Sequence, residues 1–400
     1  MGWLEDLVES TSESETPERF MWWSGLAAIS AVVGKNVWLD KHVYTLYPNI
    51  YVALISAHSG LRKGAAISAA RGILKYVNGE HRVISGSNSI QAVIKELSQQ
   101  ETLDNGNVVS KAQGILMSPE FKDFLTGDES SLSYLVDLYD THDHPEKWTR
   151  TLKGSGREIL KEPCLTLLIA SNEIYFDSAI GKADTEGGFI ARTFIIYESE
   201  NRLYNSLIRP PSKSLDKKRA AKRLQELTAL RGGFVYEGRA AEIYDQWYKD
   251  LCAAGVRGDR TGHLARIHDH VLKVAMLMTL SETDELVLIQ RIIDAAIVKC
   301  TENLAGVRQI SVSNASGNAE QDVALPRIIK VLIHSPNLTV NRKELLRRTE
   351  LDSVVLSRAI ETLIERDLIY PGVKAADGSG IQYQMKPEAY KAYSQLKEKV

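Results

Sequence analysis

The chain has 400 residues, 25% of them charged and 44% hydrophobic, with 49 basic against 51 acidic side chains and a formal net charge of −2. That length suits two or three domains with a sizeable core, and the near-neutral balance excludes a generally basic nucleic-acid coat, so any such contact must come from a local patch or from patches summed around an oligomer. Three widely spaced cysteines form no disulfide framework, the acidic start lacks a signal peptide's basic residues, and no apolar run approaches the ~18–20 residues of a membrane span; a soluble intracellular protein with no membrane partner is expected.

In chain order, residues 10–17 are a polar lead-in to a helix opening at Pro17-Glu18-Arg19-Phe20. That helix carries Trp22, Trp23, Leu26, Ile29 and Val32 around most of its circumference, the mark of a core helix. From Val37 to about Glu198, short apolar runs alternate with helical segments such as Ser89–Gln100 and Ser130–Tyr139. The runs are Tyr51–Ile55, Arg82–Ser85, Gly114–Met117, Leu165–Ala170 and Thr193–Tyr197. This pattern predicts an α/β fold with a mostly parallel sheet covered by helices on both faces. Residues 215–310 read as a helical subdomain, and Ser311–Asn318 as a linker by composition. Beyond it, helices at Pro326–His334, Arg342–Arg348 and Ser353–Arg366 are closed by an extended pair, Leu368–Val373 and Ile381–Met385. That order describes a winged helix.

The segment Ala57-His58-Ser59-Gly60-Leu61-Arg62-Lys63-Gly64 follows the first apolar run and precedes a helix from Ala65 to Val77. Strand, tight glycine-containing turn, Lys and helix is the layout of a P-loop: backbone N–H groups and the helix N-terminus hold phosphates, and the Lys reaches the terminal ones. Ser59, Gly60, Arg62, Lys63, Gly64 and Ala65 are the candidate contacts to ATP and its Mg2+. Against G-x-x-x-x-G-K-[ST], Ala57 and Arg62 replace glycines and Gly64 replaces the hydroxyl residue that meets Mg2+.

Hydrolysis also needs an acid, a polar sensor and an arginine, each sought at the end of a strand. The run Gly114–Ser118 leads into Pro119-Glu120, making Glu120 the candidate water-activating base, with Pro119 where an Asp would help hold Mg2+. Asn172 ends the run from Leu165, either to orient the attacking water or to cap the next turn. Arg192, within Gly187–Phe194, is placed to reach a γ-phosphate on a neighbouring subunit or to make a structural ion pair. Arg266 is a further candidate phosphate sensor.

Between acid and sensor, Lys147–Leu152 and Arg157–Lys161 flank Lys153-Gly154-Ser155-Gly156, a β-hairpin with a basic glycine-rich tip. Lys147, Arg150, Lys153 and Arg157 are candidate nucleic-acid contacts, and Trp148 either stacks a base or packs in the core. Arg342, Lys343 and Arg347 are candidate phosphate contacts in the C-terminal module. His268-Asp269-His270 and His142-Asp143-His144 lack ligand spacing, so no metal centre is predicted in the protein itself.

With these pieces in order, the chain resembles the phage and prophage P-loop ATPases found in primase–helicase proteins of mobile elements. The resemblance covers roughly residues 15–280, through Thr16–Phe20, Leu46–Val52, Ser59–Gly64, Pro163–Leu167 and Gly187–Phe194. The order P-loop, acid, basic hairpin, Asn, Arg is also similar to AAA+ replicative helicases such as minichromosome-maintenance and superfamily 3 enzymes. The resemblance implies an AAA+/RecA-like ATPase, a DNA helicase or translocase acting as a homo-oligomeric, hexameric ring around single-stranded DNA, with a primase or other replication proteins as partners. It matches Lys63 to the phosphate Lys, Glu120 to the acid, Asn172 to the sensor and Arg192 to the arginine finger. The departures at Arg62, Gly64 and Pro119 leave an alternative, a non-hydrolysing helicase loader or DNA-binding scaffold. The expected organisation is an N-terminal helical region (1–35), a P-loop core (36–214), a helical subdomain (215–310) and a winged helix (320–400).

Overall fold

The computed structural model describes residues 2–57, 59–85, 89–99, 101–102, 108–109, 111–121, 131–140, 146–152, 156–173, 175–176, 188–200, 203–204, 213–254, 262–315, 319–349, 351–365, 367–374, 380–387 and 389–390. The chain divides into two compact units, Met1–Ser311 and Val312–Val400.

In the first unit each of the five apolar runs is a strand: β1 (Tyr51–Ser56), β2 (Arg82–Ser85), β3 (Gln113–Ser118), β4 (Cys164–Asn172) and β5 (Thr193–Glu198). They lie in the order β5-β1-β4-β3-β2, and every pairing is parallel. A parallel sheet is covered on both faces, which is why the strands read as unbroken apolar runs; all six residues of β1 are buried. The period of two still sorts them. Val52, Leu54, Met117, Leu168 and Phe194 join one core with α1 (Trp3–Ser10), α2 (Glu18–Val33) and α3 (Lys63–Leu74). Tyr51, Ala53, Ile55, Leu116, Leu167 and Ile195 join the other, with α4 (Ile90–Ser98) and α5 (Ser131–Tyr139).

Helix α2 is buried at every position from Phe20 to Val33, as its uniform apolarity predicts. Helix α1 lies in the expected N-terminal helical region (1–35), upstream of the one helix that the sequence pattern marks there. Its eight residues are too few to hold a helix in isolation, and docking on α2 supplies the stability. The two helices meet at Gly25, where an added Cβ would come within 2.7 Å of Leu7 Cδ2.

The rest of the unit carries α6 (Phe189–Arg192), α7 (Lys217–Leu227), α8 (Ala240–Ala254), α9 (His263–Glu282) and α10 (Gln290–Ala315). A strand at Gly232–Tyr236 pairs in parallel with Val37–Asp40 and, on its other side, with Val287–Leu288, so a strand pair crosses the boundary expected between residues 214 and 215. In the tract read as a linker, Ser311–Asn318, α10 continues through Ala315, and the division between the two compact units falls after Ser311. No Gly or Pro stands between Val307 and Ala315, and an already nucleated helix propagates at small cost per residue. Residues 316–318 lie outside the described set.

The second unit has α11 (Ala319–Ile333), α12 (Arg342–Thr349) and α13 (Ser353–Glu365), with a core of Ile328, Leu332, Leu345, Leu356, Leu363 and Ile369. Its antiparallel sheet runs in the order Thr339–Asn341, Ile381–Gln384, Val373–Lys374, so the expected extended pair gains a third strand from just before α12. Residues 375–379 between the pair are outside the described set. Among the described residues, no helix is long and apolar enough to cross a membrane.

Candidate functional site

Parallel strands end together, and their carboxyl ends form one edge. Register places Ser56 of β1 opposite Asn172 of β4 and Glu198 of β5, and Ser118 of β3 opposite Ile169 of β4. Five apolar strands thus run out into polar residues at the edge where ligands of open parallel sheets bind.

After Ser56 the chain makes a short 3-10 turn, Ser59–Leu61, anchored by the buried Leu61, and then enters α3 at Lys63. The turn between them is closed by Arg62, whose backbone is left-handed (φ 51°, ψ 32°). That conformation suits glycine, the residue it replaces in the P-loop pattern, and costs a side-chain-bearing residue about 1–2 kcal/mol. The Arg62 guanidinium points away to Glu15, 2.9 Å distant. No carboxylate lies in the first turn of α3, so the positive end of its dipole is not offset there by an acidic side chain of its own.

Lys63 is half-buried, and its Nζ donates to Ser56 Oγ. Burial holds its ammonium below the ordinary lysine range, against the opposing pull of the Glu120 carboxylate. Glu120 is exposed on the loop after β3, where Ser118 Oγ donates to its carbonyl at 3.1 Å. The loop is pinned by Phe121, fully buried and stacked on Phe189 at 5.8 Å. Asn172 Oδ1 accepts from Tyr175 N at 2.8 Å, so the amide does cap the next turn. With Oδ1 so engaged, Nδ2 is the group left to donate to a phosphate or water.

The sequence matches no protein-family model and no curated protein sequence.

Gly64, the second residue of α3, is exposed, and a Cβ added there meets nothing within 4 Å. Ala65 follows, with its N–H bonded to Arg62 O at 2.9 Å. Ser56 is the member of this cluster that sequence reading missed; its only signal was a hydroxyl closing an apolar run.

Arg192 and Arg266 lie elsewhere. Arg192 precedes Thr193, which pairs with Tyr51 at the start of β1, so it sits at the amino edge of the sheet. A six-residue strand separates the two edges by about 17 Å. Its side chain is nearly buried: Nε donates to Asp140 Oδ2 at 3.1 Å, Nη2 bonds the same oxygen, and Nη1 donates to Gly188 O at 2.9 Å. Arg266 Nη1 reaches Asp140 Oδ1 at 3.2 Å. Burial would raise the Asp140 pKa, but the Arg192 hydrogen bond and charge, with Arg266 and Lys273, outweigh it and hold the carboxyl below its usual range. Within one chain, then, both arginines serve Asp140, a residue no sequence pattern singled out.

The hairpin forms as expected, Lys147–Leu152 pairing with Gly156–Lys161. Lys147 is exposed on it, and register sets Arg150 opposite Glu158 and Thr151 opposite Arg157. Lys153 at the tip, like His142, Asp143 and His144 before the hairpin, lies outside the described residues. Of the two roles read for Trp148, the structure shows the core one: it is 4% exposed, edge-on to Tyr134 at 6.2 Å, and its Nε1 donates to Asp137. In the second unit, Arg342 Nη2 donates to Ser353 O at 3.0 Å and Ser357 Oγ at 2.7 Å, bracing α12 on α13. Arg347 pairs with Glu344 at 2.8 Å on the surface, and Lys343 is exposed.

Proposed function

We propose that the first unit is a P-loop nucleoside triphosphatase of the AAA+ kind, that the second unit is a winged helix, and that the protein works as a homo-oligomeric ring moving on DNA. The observation that supports this best is the meeting of Lys63, Ser56, Asn172 and the Glu120 loop at one sheet edge, contributed by strands in the order β5-β1-β4-β3-β2. In this reading ATP is the substrate. Lys63 and the first N–H groups of α3 hold its terminal phosphates, the Glu120 carboxylate accepts a proton from the attacking water, and Asn172 Nδ2 orients that water.

The open, acid-free mouth of α3 suits a polyphosphate. Of the residues read for the nucleotide and its metal, Glu120 is the carboxylate and Gly64 brings no hydroxyl, so Mg2+ would be held chiefly through the nucleotide's own phosphates and water, where it neutralises charge. Arg192 serves a neighbouring subunit in this reading only when its pair with Asp140 opens. A second reading, a loader or scaffold that binds nucleotide without turnover, is favoured by Gly64, by Pro119 and by the left-handed Arg62 tied to Glu15.

ATP turnover with and without single-stranded DNA, for wild type, Lys63→Ala and Glu120→Gln, separates the two. DNA-stimulated turnover lost in both variants supports the motor. Nucleotide binding lost in Lys63→Ala with no wild-type turnover supports the loader, and nucleotide binding absent altogether rejects both.

A further inference from the structure

The second unit, by itself, carries a charge arrangement that the nucleotide site does not use. Arg327 and Lys330 stand on α11 and His334 directly follows its last residue, at spacings of three and four that bring them to one face, with His334 N still bonded to Lys330 O at 3.4 Å. With Arg348 from the last turn of α12, and with Val331 and Thr349, they line a groove of about 610 Å³. All four basic side chains are exposed.

Neutral partners hold the two guanidinium groups in position. Arg327 Nη1 donates to Thr349 O at 3.1 Å, and Arg348 Nη1 donates to Ser335 Oγ at 3.2 Å. Ser335 is buried and donates in turn to Val331 O at 2.6 Å. These anchors fix geometry without cancelling charge. Among the described residues, no carboxylate lines the groove and none pairs with any of the four. Nearby cations are compensated by contrast: Arg347 by Glu344 and Lys386 by Asp367.

The row from Arg327 to His334 spans about 10 Å along the helix at 1.5 Å per residue. One nucleic-acid strand presents a phosphate every ~3.4 Å of axis, so the row matches about three successive phosphates. A lone carboxylate or mononucleotide would meet only part of it. The outer face of α13 offers no such field, since Arg358 there is accompanied by Glu361 and Glu365. We infer that the α11–α12 groove binds the sugar–phosphate backbone of a nucleic-acid strand. The inference rests on the nucleic-acid half of the reading above and not on hydrolysis at Lys63.

The test is fluorescence anisotropy of a labelled DNA oligonucleotide, single-stranded and duplex, with the full-length chain across a KCl titration. Two groove variants are compared with wild type. One is Arg327→Ala/Lys330→Ala/Arg348→Ala, with its fold checked by thermal melting. The other is Lys330→Glu, whose wild-type side chain makes no hydrogen bond or ion pair among the described residues.

The triple variant is expected to bind about tenfold or more weakly and to flatten the log–log salt slope by about 2–3, since each neutralised phosphate contributes about 0.7–0.9. Lys330→Glu shifts both in the same direction. If wild type binds and both groove variants keep its affinity and slope, the inference is overturned and the function reading stands. Groove-dependent binding by a wild type that hydrolyses no ATP leaves the inference standing and removes the motor. Displacement of DNA by polyglutamate at equal charge concentration would assign the groove to an acidic protein segment instead and overturn it. A wild type that binds no DNA at any salt defeats the inference and the DNA reading together.

Discussion

Replacing Gly64 by serine probes the mouth of α3 with one hydroxyl. The site accepts it: an added Cβ meets nothing within 4 Å, the backbone is helical, and the residue is exposed. Glycine within a helix is about 0.8–1 kcal/mol worse than alanine and serine recovers about half, so Gly64→Ser should stabilise the protein by about 0.5 kcal/mol. The hydroxyl stands beside Lys63 and supplies the hard oxygen that the P-loop pattern places on Mg2+. One added ligand worth about 1.4 kcal/mol is a tenfold gain in affinity. Urea unfolding reads the first quantity; equilibrium binding of a non-hydrolysable ATP analogue across an Mg2+ titration reads the second. Stability lower than wild type by about 1 kcal/mol or more would show that the position is not open. Nucleotide affinity with unchanged Mg2+ dependence would refute the placement of phosphates at this helix terminus.

Asp140→Ala leaves Arg192 and Arg266 without their shared carboxylate, one of them nearly buried, and should cost about 3–5 kcal/mol in urea unfolding; a loss below about 1 kcal/mol would mean that both arginines are free to act elsewhere. Trp148→Ala removes a buried indole and is expected to destabilise by about 3–5 kcal/mol, with any change in DNA affinity explained by unfolding; a stable variant that binds DNA poorly would restore the stacking role. Lys273 is buried, bonded to Asn49 O and Oδ1 at 3.0 and 2.8 Å, and burial pushes its pKa down to about 8 despite Asp269 and Asp140. Below pH 8 folded and unfolded chains both carry this proton and the cost of burying the charge is full. Above it the folded chain sheds the proton first, so the unfolded chain binds more protons and this group's contribution to stability rises with pH. Relative to Lys273→Met, wild type should therefore gain up to about 3 kcal/mol between pH 8 and 10.5, read by urea unfolding at each pH; a constant difference would mean that Lys273 stays charged in the fold.

Much of this architecture is local and was legible as such. Alternating apolar runs marked all five central strands, because a strand buried on both faces leaves no room for polar residues. The uniform apolarity of α2, the hairpin at Lys147–Lys161 and the segment around Lys63 announced themselves for similar reasons. Helix α1 did not, since its three anchors (Trp3, Leu4 and Leu7) mean nothing until Gly25 lets them approach. In Ser311–Ala315 composition did not show that α10 runs through the tract, because it reports what tolerates solvent and not whether a helix entering from upstream must stop.

For the site, the sequence by itself marked Lys63, Glu120, Asn172 and Arg192 as residues flanking apolar runs, and passed over Ser56. It marked them because strand ends are where an apolar period breaks. Which ends share an edge was decided only by the tertiary structure. Strand order is a non-local choice, made when β4 inserted beside β1 and put Asn172 opposite Ser56. The same choice set Arg192 one strand-length away, on Asp140 beside Arg266, and turned Trp148 into the core. The basic side chains of the α11–α12 groove came together in the same way. Periodicity put Arg327, Lys330 and His334 on one face, but only the packing of a second helix brought Arg348 to them and kept carboxylates of the described residues away.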